Sequence, residues 1–248
     1  MSYGLSGNAV LSTGAPADKV FIRDWTTGLH AGVVTPDGSG NWSLGGLTNG
    51  STYEVVAHGS TGYQPIAHGP VSPVSNGLTE ALWDPANKGT NCTLSGSNRI
   101  ATFSGVGMVR SDLSKTSGTW YCELTVNAGS NNMVFGIVNA SANLNQYVGQ
   151  DANGWGYYGN GGVLNNGSAS GTQASYTTGD VIGVKFSPAA GTAQFYKNGV
   201  ATGSGLTGLP STMYLATGAG GSGTTSTVNT GQSPFYGAVP AGANPGMY

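Results

Sequence analysis

Apolar and polar residues alternate in short runs along the chain, and Gly, Asn, Ser, Thr or Pro bounds each run. Between residues 120 and 126, Trp, Cys, Leu and Val occupy every second position, and Tyr121, Glu123 and Thr125 lie between them. A period of two is typical of a β-strand. No apolar period of 3.6 residues persists for three turns, so the pattern predicts an all-β protein.

Two apolar runs between residues 176 and 200 predict a pair of antiparallel strands. Val181–Phe186 and Thr192–Tyr196 are short and rich in β-branched or aromatic residues, and the segment 187–191 separates them. Asn198-Gly199 follows the second run. Because Asn and Gly tolerate positive φ angles, this dipeptide predicts a type I′ hairpin turn.

The strand pattern divides into two parts. Residues 1–71 predict a small β-sandwich of about six strands, residues 72–79 a linker rich in Pro, Ser and Gly, and residues 80–248 a larger antiparallel sandwich. Strands are predicted in the first part at 18–25, 30–35, 41–44, 52–58 and 64–71. In the second part they are predicted at 92–94, 100–103, 107–110, 120–126, 134–139, 154–158, 181–186, 192–196, 213–217 and 225–229. The glycine-rich run Gly218–Gly223 is interpreted as a flexible loop.

The charge content limits the partners that the chain can have. Charged residues make up 7% of the sequence, the net charge is −2, and Lys197 is the last charged residue. Nucleic-acid binding needs several Lys or Arg to displace counterions from phosphates, so we expect no nucleic-acid partner. No apolar run approaches the length of a membrane span, so we expect no membrane partner. A net charge near zero promotes association between copies, which predicts a homo-oligomer.

Catalytic and metal-binding residue patterns are missing from the second part. The three histidines, His30, His58 and His68, all precede the linker, and no Gly-x-Ser-x-Gly sequence occurs. The two cysteines, Cys92 and Cys122, are interpreted as buried thiols, although a disulfide between them stays open. We therefore expect no catalytic residue, no metal and no cofactor, and the protein is predicted not to be an enzyme.

A glycan hydrolase is the enzymatic alternative, because some sandwiches of this shape carry paired carboxylates. Glu123 and Asp151 are its candidate residues, but no two acidic residues lie two positions apart on one predicted strand. Glu123 alternates with apolar neighbours and is expected to face solvent or to pair with a base such as Lys185.

Recognition by aromatic and amide side chains is the remaining chemistry. Aromatic faces stack on apolar C–H surface, while amides pair with hydroxyl or carbonyl groups of sugars and peptides. Trp155 also fits a core position. The candidate ligand-binding residues are Asn131, Asn132, Tyr147, Gln150, Trp155 and Tyr158.

Several motifs of the second part resemble those of the SPRY domain family, in the order that the family has them. They cover about residues 83–243, and the resemblance implies a concanavalin-like β-sandwich that binds a partner without catalysis. The motifs are GTWYCELTV at 118–126, VFGIV at 134–138, GWGY at 154–157, GDVIGV at 179–184, FYKNGV at 195–200 and VNTGQSPF at 228–235.

The first part resembles carboxypeptidase-regulatory or prealbumin-like modules, through the pattern from Gly14-x-Pro16 to Tyr53-Glu-Val-Val-Ala57. Such modules recur in bacteriophage particle proteins. We therefore expect a non-enzymatic virion protein of the tail, baseplate or capsid decoration, assembled in the host cytoplasm. Its module 1–71 is expected to anchor a SPRY-like head that contacts other virion proteins and a glycan or protein of the host surface. The alternative is an intracellular SPRY adaptor that binds short peptides.

Overall fold

The structure, a computed structural model, describes residues 3–10, 15–48, 51–59, 66–71, 74–75 and 79–248. It is nearly all β, and its sheets are antiparallel apart from one short parallel pairing, which confirms the predicted fold class. No helix in these ranges is long and apolar enough to cross a membrane. The chain divides into two compact units, Met1–Thr79 with Gly231–Pro234, and Glu80–Thr230 with Phe235–Tyr248.

The strands of unit 1 are β1 Tyr3–Asn8, β2 Lys19–Asp24, β3 His30–Val34, β4 Asn41–Leu44, β5 Tyr53–His58, β6 Ile66–Val71 and β7 Val74–Ser75. They form a three-stranded sheet with the order β4-β1-β7 and a four-stranded sheet with the order β3-β2-β5-β6. Its core includes Val20 and Ile22 of β2, which are fully buried. Val74–Ser75 falls within the predicted linker but pairs with β1. The remainder of the predicted linker, apart from Thr79, and residues 64–65 lie outside the described residues.

Unit 2 contains fifteen strands among its described residues and one short 3₁₀ turn, Ser130–Asn132. The strands are β8 Trp83–Lys88, β9 Cys92–Ser95, β10 Ile100–Phe103, β11 Gly107–Lys115, β12 Trp120–Ala128, β13 Met133–Val138, β14 Gly154–Tyr158, β15 Gly162–Asn165, β16 Ser168–Thr172, β17 Val181–Ser187, β18 Thr192–Lys197, β19 Val200–Ala201, β20 Met213–Ala219, β21 Thr224–Asn229 and β22 Asn244–Pro245.

Two sheets form the sandwich of unit 2. One has the order β16-β15-β14-β13-β20-β11-β8, and the other has the order β19-β18-β17-β12-β21-β10-β9, with β22 added parallel to β12. Fully buried side chains from both sheets, among them Phe135 and Leu215 of the first and Leu124, Ile182 and Phe195 of the second, form one core. The two sheets therefore face each other across this core.

The hairpin that the Asn-Gly dipeptide predicts is present. Asn198 and Gly199 have φ angles of 49° and 77°, and Lys197 pairs with Val200 across the turn. The Asn198 side chain donates a hydrogen bond to Asp180 (2.8 Å) and accepts one from the Val181 N–H (2.8 Å). The turn is thus tied to the start of the neighbouring strand.

Some strands were not predicted, and the glycine-rich loop differs from its prediction. The unpredicted strands outside the β15–β16 hairpin are β1, β7, β8, β19 and β22. The β15–β16 hairpin was not predicted, because its Gly, Ser, Ala and Thr residues lack an apolar alternation. β8 contains Pro85, and proline is tolerated there because β8 is an edge strand. The prediction of a loop over Gly218–Gly223 was wrong at its start, since β20 continues to Ala219 and only a short turn precedes β21.

Candidate functional site

Two tyrosines on the outer face of the β13–β14 sheet form the centre of the candidate site. The rings of Tyr147 and Tyr158 meet edge to face, with centroids 5.4 Å apart and an interplanar angle of 86°. Both side chains are half-buried and pack on a small cluster that includes Val134 and Val148. Tyr158 belongs to β14, whereas Tyr147 comes from the loop between β13 and β14.

Buried anchors and turn hydrogen bonds fix the loop that carries Tyr147. Ala142 and Val148 insert into the same cluster as Val134. The Asn143 N–H donates to Asp151 (2.8 Å), and the Asn145 side-chain oxygen accepts from the Thr90 N–H (3.0 Å). Apolar anchors with hydrogen bonds on both sides restrict the loop, so the orientation of Tyr147 is preorganised.

The amide residues Asn131 and Asn132 lie on the 3₁₀ turn that follows β12. Gly129 begins this turn with a φ of 70°, and a side chain there would overlap the backbone of Gly223 and Thr224. Glycine is therefore required where the strand ends. Both asparagine side chains are exposed.

The turn between β20 and β21 joins the amides to the tyrosines. The Gly220 N–H donates to the Asn132 carbonyl oxygen (2.8 Å), and the Tyr158 hydroxyl lies against the Gly220 backbone. A methyl group at Gly221 would lie 2.9 Å from the Asn132 side-chain nitrogen. The residues Asn131, Asn132, Tyr147, Tyr158, Gly220 and Gly221 are named the tyrosine–amide edge.

The tyrosine–amide edge carries no formal charge. No Asp, Glu, Lys or Arg occurs between Glu123 and Asp151, or after Lys197. Burial, and secondarily Tyr147, raises the pKa of Tyr158 to about 12, so its hydroxyl stays neutral. The edge therefore offers aromatic surface, amide groups and a neutral hydroxyl, which suit stacking and hydrogen bonding rather than ion pairing.

The structure does not bring the two other sequence candidates to this edge. Trp155 is partly buried and packs against the core between the sheets. The Gln150 backbone lies near the β15–β16 turn, because a methyl group at Gly167 would lie 3.6 Å from the Gln150 carbonyl oxygen. In the described part of the chain, the Gln150 side-chain oxygen is buried without a hydrogen-bond partner.

Sequence reasoning missed Gly220, Gly221 and Tyr176. Tyr176 is buried, and its hydroxyl donates to the carbonyl oxygens of Met133 (2.7 Å) and Tyr157 (3.1 Å) at the ends of β13 and β14. Tyr176 thereby supports the strand end that carries Tyr158. Neither a motif nor a period in the sequence signals these contacts, because they join distant segments.

The expectation that Glu123 faces solvent or pairs with Lys185 was wrong. Glu123 is 3% exposed, and its carboxylate accepts hydrogen bonds from the Tyr121 hydroxyl (2.9 Å) and the Tyr236 N–H (2.9 Å and 3.1 Å to its two oxygens). Burial raises the pKa of Glu123, and these hydrogen bonds oppose that effect. Residues 235–243 cover this carboxylate. They have an irregular conformation and no strand pattern in their sequence, so this contact could not be predicted.

The other groups with chemical potential have structural roles. Asp151 accepts hydrogen bonds from the N–H groups of Asn143 and Asn153, which close the loop. Cys92 and Cys122 are buried free thiols, as expected, and burial raises the pKa of Cys92 to about 11. Over the described ranges, no group of three His, Cys, Asp or Glu residues could hold a metal ion.

Comparison with known proteins identifies the fold of unit 2. Residues 119–233 match the SPRY domain model. The SPRY domain of human HERC1 superimposes with a TM-score of 0.52 at 21% identity, over 59% of this chain and 96% of that domain. Stonustoxin superimposes with a TM-score of 0.51 at 16% identity, over 74% of this chain and 34% of stonustoxin. These findings support a SPRY domain at residues 119–233, as the motifs predict.

Animal proteins are among the curated relatives. A Ran-binding proteins 9/10 homologue of Drosophila melanogaster is 32% identical over 168 residues, which cover 62% of this chain and 17% of the relative. Ran-binding protein 9 of Xenopus laevis is 28% identical over 186 residues, which cover 69% of this chain and 34% of the relative. The chain thus spans about a third of the length of one of these relatives and about a sixth of the other.

The predicted virion localisation is wrong by this comparison, because these relatives are cellular proteins of eukaryotes. The comparisons likewise give no support to a bacteriophage context or to host attachment. The prealbumin-like module stays a prediction, since the SPRY match begins beyond it. The predicted homo-oligomer also stays a prediction.

Proposed function

We propose that this chain is a non-catalytic, intracellular adaptor that binds a short extended peptide at the tyrosine–amide edge. The observation that carries the proposal is the packed Tyr147–Tyr158 pair beside the exposed amides of Asn131 and Asn132, on a loop and turns that the structure holds in place. The SPRY match and the cellular relatives support it, and Ran-binding proteins 9/10 are named for binding rather than for catalysis.

A peptide suits this edge for a physical reason. The faces of tyrosine rings bury apolar side chains, and carboxamide groups both donate to and accept from a peptide backbone. The edge carries no charge with which to hold a phosphate or a carboxylate by ion pairing. Affinity therefore depends on shape and hydrogen bonds, and we expect it to vary little with salt concentration.

Selection from a library of linear peptides, followed by fluorescence anisotropy with the full chain, tests the proposal. Asn132→Ala and Tyr147→Ala should each lower the affinity for the selected peptide. Tyr147→Ala should lower it by about 2 kcal/mol, or roughly thirtyfold, if this ring is an anchor. Asn132 is exposed, so its replacement leaves the fold intact. Tyr236→Ala removes an exposed tyrosine that lies beside the other sheet, and it serves as the matched control.

Peptides whose affinity is unchanged by both edge variants would show that binding occurs elsewhere. If no peptide is captured by the folded chain, the adaptor function is refuted.

A further inference from the structure

The outer face of the second sheet carries polar and aromatic side chains that the proposed function does not use. Tyr121 pairs in register with Lys185, and Glu123 pairs with Gly183, which in turn pairs with Tyr196. Their neighbours Cys122, Val184 and Phe195 point into the core, so these residues share the opposite face. Tyr121, Glu123, Lys185 and Tyr196 are named the tyrosine–glutamate face.

One segment of the chain, residues 235–243, crosses this face and is named the strap. The Phe235 ring packs on Tyr121 with centroids 5.4 Å apart, and the Tyr236 N–H donates to Glu123. Further along, the Lys185 ammonium group donates to the Ala241 carbonyl oxygen (2.7 Å). These contacts show how an extended segment binds here: an aromatic ring on Tyr121, the next backbone N–H on the carboxylate, and a carbonyl oxygen on the lysine.

The strap is less firmly held than the residues that follow it. It has no regular secondary structure, and the Tyr236 side chain is 54% exposed. By contrast, Asn244 pairs with Trp120, the Gly246 N–H donates to the Tyr121 carbonyl oxygen (2.9 Å), and Met247 is fully buried. Segments with few buried apolar contacts open at lower free energy than packed ones, so the strap can lift while residues 244–248 stay bound.

The strap leaves part of the face open. A cleft of about 420 Å³ lies beside it, and Lys185, Gln194 and Tyr196 line this cleft together with Thr119 and Leu206. Lys185 and Tyr196 thus belong both to the covered face and to the open cleft. An incoming segment can contact the cleft first and then replace the strap residue by residue.

We infer that residues 235–243 are a displaceable internal ligand, and that the tyrosine–glutamate face is a second recognition surface for an extended, uncharged segment with an aromatic residue. The face lies on the sheet opposite the tyrosine–amide edge, and this inference does not depend on peptide binding at that edge. The strap regulates the surface, because a partner must compete with a segment that is already tethered to it.

Replacing one N–H group tests this inference. Tyr236→Pro removes the donor to Glu123, whereas Tyr236→Ala removes the exposed ring and keeps the donor, so the two variants form a matched pair. Amide hydrogen exchange over residues 237–243 should be at least about tenfold faster in Tyr236→Pro, a factor that corresponds to about 1.4 kcal/mol. Tyr236→Ala should exchange like the wild type.

The displaced segment is the probe for the second part of the inference. A labelled peptide with the sequence of residues 235–243, FYGAVPAGA, should bind Tyr236→Pro at least about tenfold more tightly than the wild type, in which the strap competes. Phe235→Ala removes the ring that packs on Tyr121 and should open the strap to a similar extent. This variant tests the inference if Tyr236→Pro does not fold. Equal exchange in all variants, or an opened strap that leaves the peptide unbound, would overturn the inference.

Discussion

Removing the buried carboxylate of Glu123 is the most informative single perturbation of unit 2. In Glu123→Ala, the Tyr121 hydroxyl loses its acceptor in a residue that is 1% exposed, which costs about 1–3 kcal/mol. The Tyr236 N–H also loses its acceptor, but water can reach this exposed residue, so we assign up to about 1 kcal/mol there. The lost methylene adds about 0.8 kcal/mol, which brings the expected destabilisation to about 2–5 kcal/mol.

Glu123→Gln should behave differently, because its side-chain oxygen can still accept one hydrogen bond and no charge is buried. We expect it to change the stability by less than about 1 kcal/mol at neutral pH. Native-state hydrogen exchange of the β12 and β17 amides gives the free energy of opening for this sheet, and Thr125→Ala, two residues along the same face, is the control.

The wild type differs from both variants in its pH dependence, because neither alanine nor glutamine titrates at this position. Because the pKa of Glu123 is higher in the folded than in the unfolded state, the stability from its protonated form is fully present below the unfolded value of 4.5. This stability is lost as the pH rises through the folded pKa. The wild type should therefore lose stability relative to Glu123→Gln as the pH rises from about 4.5. Equal costs for Ala and Gln, or a stability difference between the wild type and Glu123→Gln that does not vary with pH, would refute the burial of this carboxylate beneath the strap.

Three further predictions concern the hairpin and the thiols. Gly199 has a φ of 77°, so Gly199→Ala should cost about 1–2 kcal/mol, measured by hydrogen exchange of β17 and β18. Gly38→Ala, in open space in unit 1, should be nearly neutral when it is measured by exchange of β2 and β5. An equal cost would contradict the turn geometry. Burial raises the pKa of Asp180, but hydrogen bonds from Thr177, Asn198 and Lys197 outweigh it, and the net pKa is lowered from 3.8. Asp180→Asn should thus cost about 1 kcal/mol at pH 7 and progressively less as the pH falls through the folded pKa, and a cost independent of pH would argue against these bonds. Cys92 and Cys122 should react with a thiol reagent at pH 8 only on unfolding, and rapid labelling of the folded chain would contradict their burial.

The sequence identifies those strands whose burial differs between their two faces. β4, β10 and β14 have the predicted bounds, and the Asn198-Gly199 turn was predictable because only a few residue pairs adopt that backbone conformation. The β15–β16 hairpin was not predictable, because small polar residues give no periodic signal. β8, which contains Pro85, was not among the predicted strands, although an edge strand tolerates proline.

The candidate site was predictable in its chemistry but not in its assembly. Exposed amides and aromatic loop residues could be read from local composition, which gave Asn132, Tyr147 and Tyr158. Their contact through Gly220 joins segments that are about sixty to ninety residues apart, and no local pattern encodes such a contact. Trp155 fitted both a ligand contact and a core position, and its strand places it against the core.

Mapping the bound peptide on the full chain tests the adaptor function most directly. Hydrogen exchange of the complex should show protection at residues 129–133, 143–150, 158–161 and 218–223, the segments that build the tyrosine–amide edge. Protection confined to other surfaces, or unchanged exchange at these four segments with the peptide saturating, would contradict the account.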